Sequence, residues 1–254
     1  MTTMTRTKIA QTLKEDGLSG VVRRVHAGLI FRYHETFNSR FDTIHAIDTR
    51  TSVALETLDF EHQHKAHAID YEPTPIKLVE ALLKPSRARA SSTTFLDLGC
   101  GKGRVLIKAA ELGFDRLIGV EFAGEIAEAA RYNLGQVFRS SPGISWTIIS
   151  QDAATYSPPE SDLIVFLYNP FTQPVMEGVV NWIEAHIDRG YRVEIIYYNS
   201  QCRSLFDDCN RLKVTPFPWL VKLQLRFLSW HAAVKYLSVA GDRNESYRGT
   251  ERQV

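Results

Sequence analysis

The run Phe95-Leu-Asp-Leu-Gly-Cys-Gly-Lys-Gly-Arg104 joins a strand of buried type to a helix through a turn with alternate glycines, Gly99, Gly101 and Gly103. Glycine adopts backbone dihedrals closed to other residues and lets a ligand approach the main chain. The helix that follows directs unpaired N–H groups toward the same place. Such a turn predicts ligand binding at the carboxyl end of a strand. Two cofactor chemistries compete for it. A dinucleotide loop reads Gly-x-Gly-x-x-Gly/Ala, its last small residue permitting close helix–sheet packing, and here Arg104 takes that last place. Asp97, two residues before the first glycine, would repel a pyrophosphate and attract a ligand bearing an ammonium and a sulfonium. The local charge favours the cation.

With an acid followed by Gly-x-Gly-x-Gly, the segment resembles the class I S-adenosylmethionine-dependent methyltransferases. Asp97, Gly99, Gly101 and Gly103 match that loop residue by residue, with Cys100 inside it. The resemblance covers Tyr71 to Tyr198, about half the chain. It implies S-adenosyl-L-methionine as methyl donor, released as S-adenosylhomocysteine. It also implies that Glu121, ending the second strand 22 residues after Gly99, accepts hydrogen bonds from the ribose hydroxyls, as an ionised carboxylate can. Asp152, after the third strand, is implied to meet the adenine amino group, with Ala153 nearby. Taken singly, Glu121 is also an acid favoured at a helix N-terminus, and Asp152 an ordinary cap. Their order after successive strands joins them into one site. Cys100 reads as a small loop residue, because no paired histidine makes it a nucleophile.

The fourth strand ends in Phe166-Leu-Tyr-Asn-Pro-Phe171, which resembles the Asn/Asp-Pro-Pro-Tyr/Phe segment of the amino-group methyltransferases with one proline retained. The resemblance implies that the Asn169 side-chain oxygen and the Pro170 carbonyl accept the N–H hydrogens of an amine. Tyr168 or Phe171 would pack against the acceptor, and Asn169 would also border the cofactor. Holding donor and acceptor in line can supply up to about 7–11 kcal/mol, so no carboxylate base is required. As plain structure, Asn-Pro opens a turn that closes the strand. Upstream, Tyr71-Glu-Pro-Thr-Pro75 reads as a helix start with Thr74 as N-cap and Pro75 at the first helical position. It also resembles a Tyr-x-x-Thr/Ser-Pro segment that lies over the methionine part of the cofactor, which makes Tyr71 and Thr74 cofactor contacts. The Asn-then-Phe pattern is similar to the non-SET histone-lysine methyltransferases as well. A protein lysine, a small-molecule amine and a nucleobase therefore stand side by side as acceptors. A non-catalytic adenosylmethionine- or nucleotide-binding module that regulates a partner is the alternative from another class, and a nicotinamide-dependent oxidoreductase is a third.

These residues must be positioned by a regular scaffold. Thr94–Leu98, Arg116–Glu121, Ile144–Ser150, Asp162–Tyr168 and Tyr191–Tyr198 read as short strands rich in Val, Ile, Leu and aromatics. Helical patterns over Pro75–Leu83, Gly103–Leu112, Gly124–Val137 and Pro174–Ile187 precede or separate them. The alternation predicts an α/β fold with a doubly wound, mostly parallel sheet. Leu220–Trp230 and Ala232–Val239 read as two more strands forming an antiparallel C-terminal edge hairpin, seven strands in all. Val21, Val25, Leu29, Tyr33 and Phe37 recur every four residues, with Arg23, Arg24 and Arg32 on other faces. This predicts an amphipathic helix packed on the main domain, with docking on a membrane surface or partner as the other use of such a helix. The expected organisation is a helical and irregular extension over 1–70 covering the cofactor site, a methyltransferase domain over 71–240, and a mobile polar tail over 241–254.

A chain of 254 residues with 44% hydrophobic and 23% charged residues is globular rather than collagenous, coiled-coil or wholly disordered. Thirty basic against 29 acidic side chains leave no global field to drive nucleic-acid binding. Arg203, Arg211, Lys213, Lys222, Arg226 and Lys235 interleave with Phe217, Trp219, Phe227 and Trp230. They read as sheet core with solvated charges rather than as a stacking surface for bases. His62, His64 and His67 lack zinc-site spacing and read as a solvated loop near the cofactor mouth. Cys100, Cys202 and Cys209 are too few and odd in number for a disulfide framework, which suits a reducing cytoplasm. Neither a secretory leader nor a transmembrane segment is expected, since the longest apolar run, Leu163–Leu167, cannot cross about 30 Å of hydrocarbon.

Overall fold

The structure, a computed structural model, describes residues 6–51, 72–168 and 171–239, with side chains from residue 17 onward. Tyr71, Asn169, Pro170, His62, His64, His67 and the 241–254 tail lie outside the described residues.

The core is a seven-stranded sheet in the order β3-β2-β1-β4-β5-β7-β6. Its strands are β1 (Thr94–Leu98), β2 (Arg116–Glu121), β3 (Ser145–Ser150), β4 (Leu163–Tyr168), β5 (Val193–Tyr198), β6 (Leu212–Val214) and β7 (Ala233–Ser238). β1 to β5 pair in parallel, whereas β7 runs antiparallel between β5 and β6. Every residue of β1 and of β5 is buried, as expected where helices cover both faces of a parallel sheet. The strand order reverses at β1, so the carboxyl ends of β1 and β4 diverge into a crevice, where doubly wound sheets bind ligands.

The helices are α1 (Arg6–His45), α2 (Ile76–Leu83), α3 (Arg104–Glu111), α4 (Gly124–Phe138), α5 (Gln173–Asp188), α6 (Arg203–Asp207) and α7 (Trp219–Leu228). On β2, Gly119 stands where a Cβ would come within 2.7 Å of Cys100 Sγ and 2.8 Å of Ile148 and Leu106. Its missing side chain lets α3 and the glycine loop pack down on the strand. α1 is interrupted at Gly17, whose φ of 67° leaves the helical region.

Three expectations are corrected. The stretch Leu220–Trp230 is not a strand: it forms α7, and the outer strand of the antiparallel edge is the short β6. Val221, Leu223, Leu225 and Phe227 alternate with polar residues as in a strand, but only Val221, Leu225 and Leu228 pack on the core, a helical spacing. Leu, Lys, Gln and Arg are good helix formers, and Pro218 at the N-cap position opens the helix. Consequently Trp219, Phe227 and Trp230 are exposed rather than sheet core, while Phe217 is buried as expected. On α1 the buried face is Ile30, His34, Asn38 and Phe41; of the expected row, Val25 and Leu29 are exposed, while Phe37 packs on the core. A polar face is turned inward because its groups find partners there. Asn38 Oδ1 accepts the Ile76 N–H at 3.0 Å, so α1 caps α2 from outside, and His34 Nε2 lies 2.6 Å from the Leu228 carbonyl of α7. The N-cap position of α2 is accordingly held by Pro75 rather than Thr74.

Candidate active site

Gly99, Gly101 and Gly103 all have positive φ, 73°, 53° and 83°, so the loop needs all three. Gly99 and Cys100 donate their N–H groups to the Val120 carbonyl at 2.8 and 3.1 Å, tying the turn to the end of β2. At Gly103 a Cβ would stand 2.3 Å from Leu134 Cδ1 of α4. Gly103→Ala is therefore expected to destabilise the protein by about 2–5 kcal/mol, left-handed strain and overpacking together. Urea unfolding measures this; an unchanged midpoint would refute the packing described.

Two carboxyl groups close the head of the sheet. Glu121 ends β2, where Oε2 accepts the Gly101 N–H at 3.0 Å and Oε1 the Ala123 N–H at 3.1 Å. Burial raises its pKa, against the pull of the backbone donors Ala123, Gly101 and Phe122. Asp97, on β1, is 2% exposed, and its Oδ2 has no hydrogen-bond partner among the described residues. Burial raises Asp97 well above the usual carboxylate range, and the neighbouring Glu121 adds to the rise. A buried acid oxygen without a donor is a costly arrangement for a fold in isolation. It is suited to a ligand that brings a positive charge or a donor. Cys100 is buried, with its Sγ set among the core residues under the loop, and burial, Asp97 and Glu121 raise its thiol well above the ordinary value. It stays protonated and inert toward nucleophilic chemistry.

The remaining predicted residues fall around the same end of the sheet, in different roles. Asp152 follows β3 and caps the short 3-10 turn Ala153–Thr155, with Oδ1 accepting the Ala154 N–H at 2.8 Å. Ala153 is buried, and its carbonyl accepts the Trp182 indole N–H at 3.0 Å. Thr74 is buried, and its carbonyl accepts from Arg104 Nη1 at 3.3 Å. Phe171 is buried in the apolar cluster beneath α5. Tyr168, half-buried at the end of β4, lies 4.9 Å from Tyr198 at the end of β5 and 6.3 Å from His231, between ring centroids. Burial, together with Glu72 and Tyr198, raises the Tyr168 hydroxyl well above its ordinary value, so it remains a neutral donor.

Several participants escape motif reading. Arg104 is 2% exposed and donates from Nε to Thr49 Oγ1 at 2.7 Å, while its Nη2 lies 3.4 Å from Asp42 Oδ1. Thr49 in turn donates from N and Oγ1 to the two Asp42 carboxylate oxygens, at 2.9 and 2.6 Å. Lys102 Nζ pairs with Asp48 at 3.1 Å, and Asn133 Nδ2 donates to the carbonyls of Asp48 and Lys102. Residues 42–49 are thus fastened to the start of α3 by buried polar bonds and to the glycine loop by part-buried ones. In the sequence the one trace of this was Arg104 standing where a small residue would otherwise sit. Among the described residues, no group of three His, Cys, Asp or Glu is placed to hold a metal ion, and no helix is long and apolar enough to cross a membrane.

No family model matches the chain, and no curated protein matches it in sequence. Solved structures do. The Escherichia coli protein yhhF, assigned as a methyltransferase, shares 15% identity at a TM-score of 0.50, over 65% of this chain and 88% of its own. A protein of Pyrococcus horikoshii assigned as an RNA methyltransferase shares 19% identity at 0.46, over 66% and 86%. Magnesium protoporphyrin IX methyltransferase of Synechocystis, solved with bound SAM, shares 14% identity at 0.47, over 65% and 79%. The chain has the class I methyltransferase fold.

Proposed function

We propose that the protein is an S-adenosylmethionine-dependent methyltransferase acting on a nitrogen acceptor. The observation that carries this reading is the pairing of a three-glycine loop of positive φ with Asp97, a buried acid whose Oδ2 is unpartnered. The donor set suits a cationic amino-acid nucleoside and is unsuited to a diphosphate. When bound, adenosylmethionine would supply an electrophilic methyl group on its sulfonium.

The chain's residues would divide the work. Asp97 would hold the positive end of the ligand. Glu121 keeps spare lone pairs beyond its two backbone bonds, since an ionised carboxylate accepts at about four sites, and these would take the ribose hydroxyls. Asp152, Ala153, Thr74 and Tyr71 would border the nucleoside and methionine parts. Asn169 and Pro170 would accept the acceptor's N–H hydrogens, orienting its lone pair, while Tyr168 supplies an aromatic wall. Phe171, buried in the apolar cluster beneath α5, would anchor the segment that follows β4. A protein lysine, a small-molecule amine or a nucleobase each presents such a nitrogen.

The experiment is calorimetry with adenosylmethionine and adenosylhomocysteine, followed by incubation with the methyl-labelled donor and fractionated cell extract. Binding of both ligands is expected, with label incorporation that falls at least about 100-fold in Asn169→Ala at retained cofactor affinity. A protein that binds neither ligand after stripping refutes the reading, and one that binds but labels nothing is a regulatory module instead.

A further inference from the structure

The helix α7 (Trp219–Leu228) has two apolar faces, and the fold uses one. Val221, Leu225 and Leu228 turn inward beside Phe217. Trp219, Leu220, Leu223 and Phe227 turn outward, with Trp230 just past the end, at 70, 55, 45, 53 and 50% exposure. Trp219, Leu223 and Phe227 follow i, i+4 and i+8 and so form one row along the helix. Lys222 and Arg226, both exposed, form the parallel row on one side, and Leu220 lies on the other. From Cys209 to Val239 the chain carries five Lys or Arg and no Asp or Glu, although its totals are 30 and 29. The balance is therefore broken here, and around an apolar surface.

An exposed apolar patch of this kind marks an interaction site, and its charge selects the occupant. A second copy packed antiparallel and face to face would set the Lys222–Arg226 row beside its own equivalent, and in either orientation the segment offers no acid to pair those charges. A surface that is anionic outside and apolar beneath satisfies both rows at once. Leucine and phenylalanine enter the acyl boundary, basic side chains reach the headgroups, and tryptophan favours the level between. The two tryptophans stand at opposite ends of the helix, Trp230 with its ring edge-on to His34 of α1 at 5.8 Å between ring centroids. The face is already formed: α7 is held on its inner side by the core and by His34 at the Leu228 carbonyl. Docking orders no new backbone, and such preorganisation favours binding.

We propose that the outward face of α7 seats the protein on an anionic bilayer surface, with the helix in the interface plane. Ser229 and His231, which directly follow α7, touch Tyr198 at the carboxyl end of β5. The segment that leaves α7 is thus joined directly to the carboxyl end of β5. The inference does not depend on the methyl-transfer reading.

Flotation of the full chain with vesicles of phosphatidylcholine and phosphatidylserine, against phosphatidylcholine alone, tests it. The protein is expected to float with the anionic vesicles and to release as salt is raised. Lys222→Gln with Arg226→Gln should weaken partitioning roughly 25-fold, and Trp219→Ser with Leu223→Ser and Phe227→Ser by at least about tenfold. All five side chains are exposed, so the glutamine variant should unfold with the parent, and the serine variant, which loses half-covered apolar surface and helix propensity, should still unfold cooperatively within several degrees of it. Absence of flotation by the parent protein, flotation indifferent to lipid charge, or variants that float as well as the parent would each overturn the proposal. So would a dimer that the serine variant dissolves without any vesicle binding, or retention by an acidic polypeptide in its place.

Discussion

Replacing Asp97 by Asn is expected to raise the unfolding midpoint of the ligand-free protein while weakening adenosylmethionine binding about 100-fold. Both effects have one cause. The Asp97 carboxyl is buried beside Glu121, and its Oδ2 lacks a donor, so the folded protein without ligand gains nothing from the charge and bears its desolvation. Asparagine has nearly the same shape and no charge to desolvate. Each kcal/mol so gained is worth about 2–4 °C in a chain of this size.

The pH dependence follows with a definite sign. An unfolded aspartate titrates near about 3.9, and the folded Asp97 holds its proton to higher pH. Above that value the native state binds more protons than the unfolded state, so this group's contribution to stability falls as pH rises through its folded pKa. Asp97→Asn removes that slope, and the gap between the two proteins should widen from mildly acid toward neutral pH. Binding of a cationic ligand should strengthen over the same interval in the parent alone. Scanning calorimetry across pH, with and without adenosylmethionine, measures both. A midpoint that drops in Asp97→Asn at neutral pH, or an affinity that does not change, would show that the carboxylate serves the fold rather than the ligand.

Arg104→Ala should be the most destabilising single change near the site, by about 3–5 kcal/mol. The side chain is 2% exposed and bonds Thr49, Asp42 and the Thr74 carbonyl. Its removal leaves the buried Asp42 with only Arg50, whose Nε stands 3.8 Å from Oδ2, as a cationic neighbour, and the weaker compensation of that charge, together with the lost bonds to Thr49 and the Thr74 carbonyl, sets the penalty. The pair Arg104→Ala/Asp42→Ala should therefore be less destabilised than the sum of the single variants, a coupling that urea unfolding in a double-mutant cycle reads directly. Simple additivity would mean that the two groups do not share a network. Because residues 42–49 are held to the start of α3 through these bonds, Arg104→Ala should also make the Ala46–Arg50 peptide bonds more open to limited proteolysis.

The parts of the site that were legible in the sequence are those whose chemistry is local. A positive-φ turn demands glycine wherever it occurs, so Gly99, Gly101 and Gly103 announce the loop. Buried parallel strands are runs of Val, Ile, Leu and aromatics, so β1 to β5 could be read within two residues of their observed ends. Glu121 and Asp152 stand at strand ends because the chain must turn there. The antiparallel edge was half legible: β7 was foreseen, whereas β6 has only three residues and no pattern to detect.

What the tertiary structure decided lies wherever one segment's environment is set by another. Val221, Leu223, Leu225 and Phe227 satisfy both a strand's alternation and a helix's composition; only packing on the core selected the helix and left Leu223 and Phe227 outside. The sequence shows that Arg104 is not a glycine, but not that Thr49 and Asp42, more than fifty residues away, come to bond it. Likewise Tyr168 and Tyr198 meet because β4 and β5 are neighbours in the sheet. Backbone conformation is dictated by a residue and its near neighbours, whereas burial, charge pairing and pKa depend on which distant groups exclude the water.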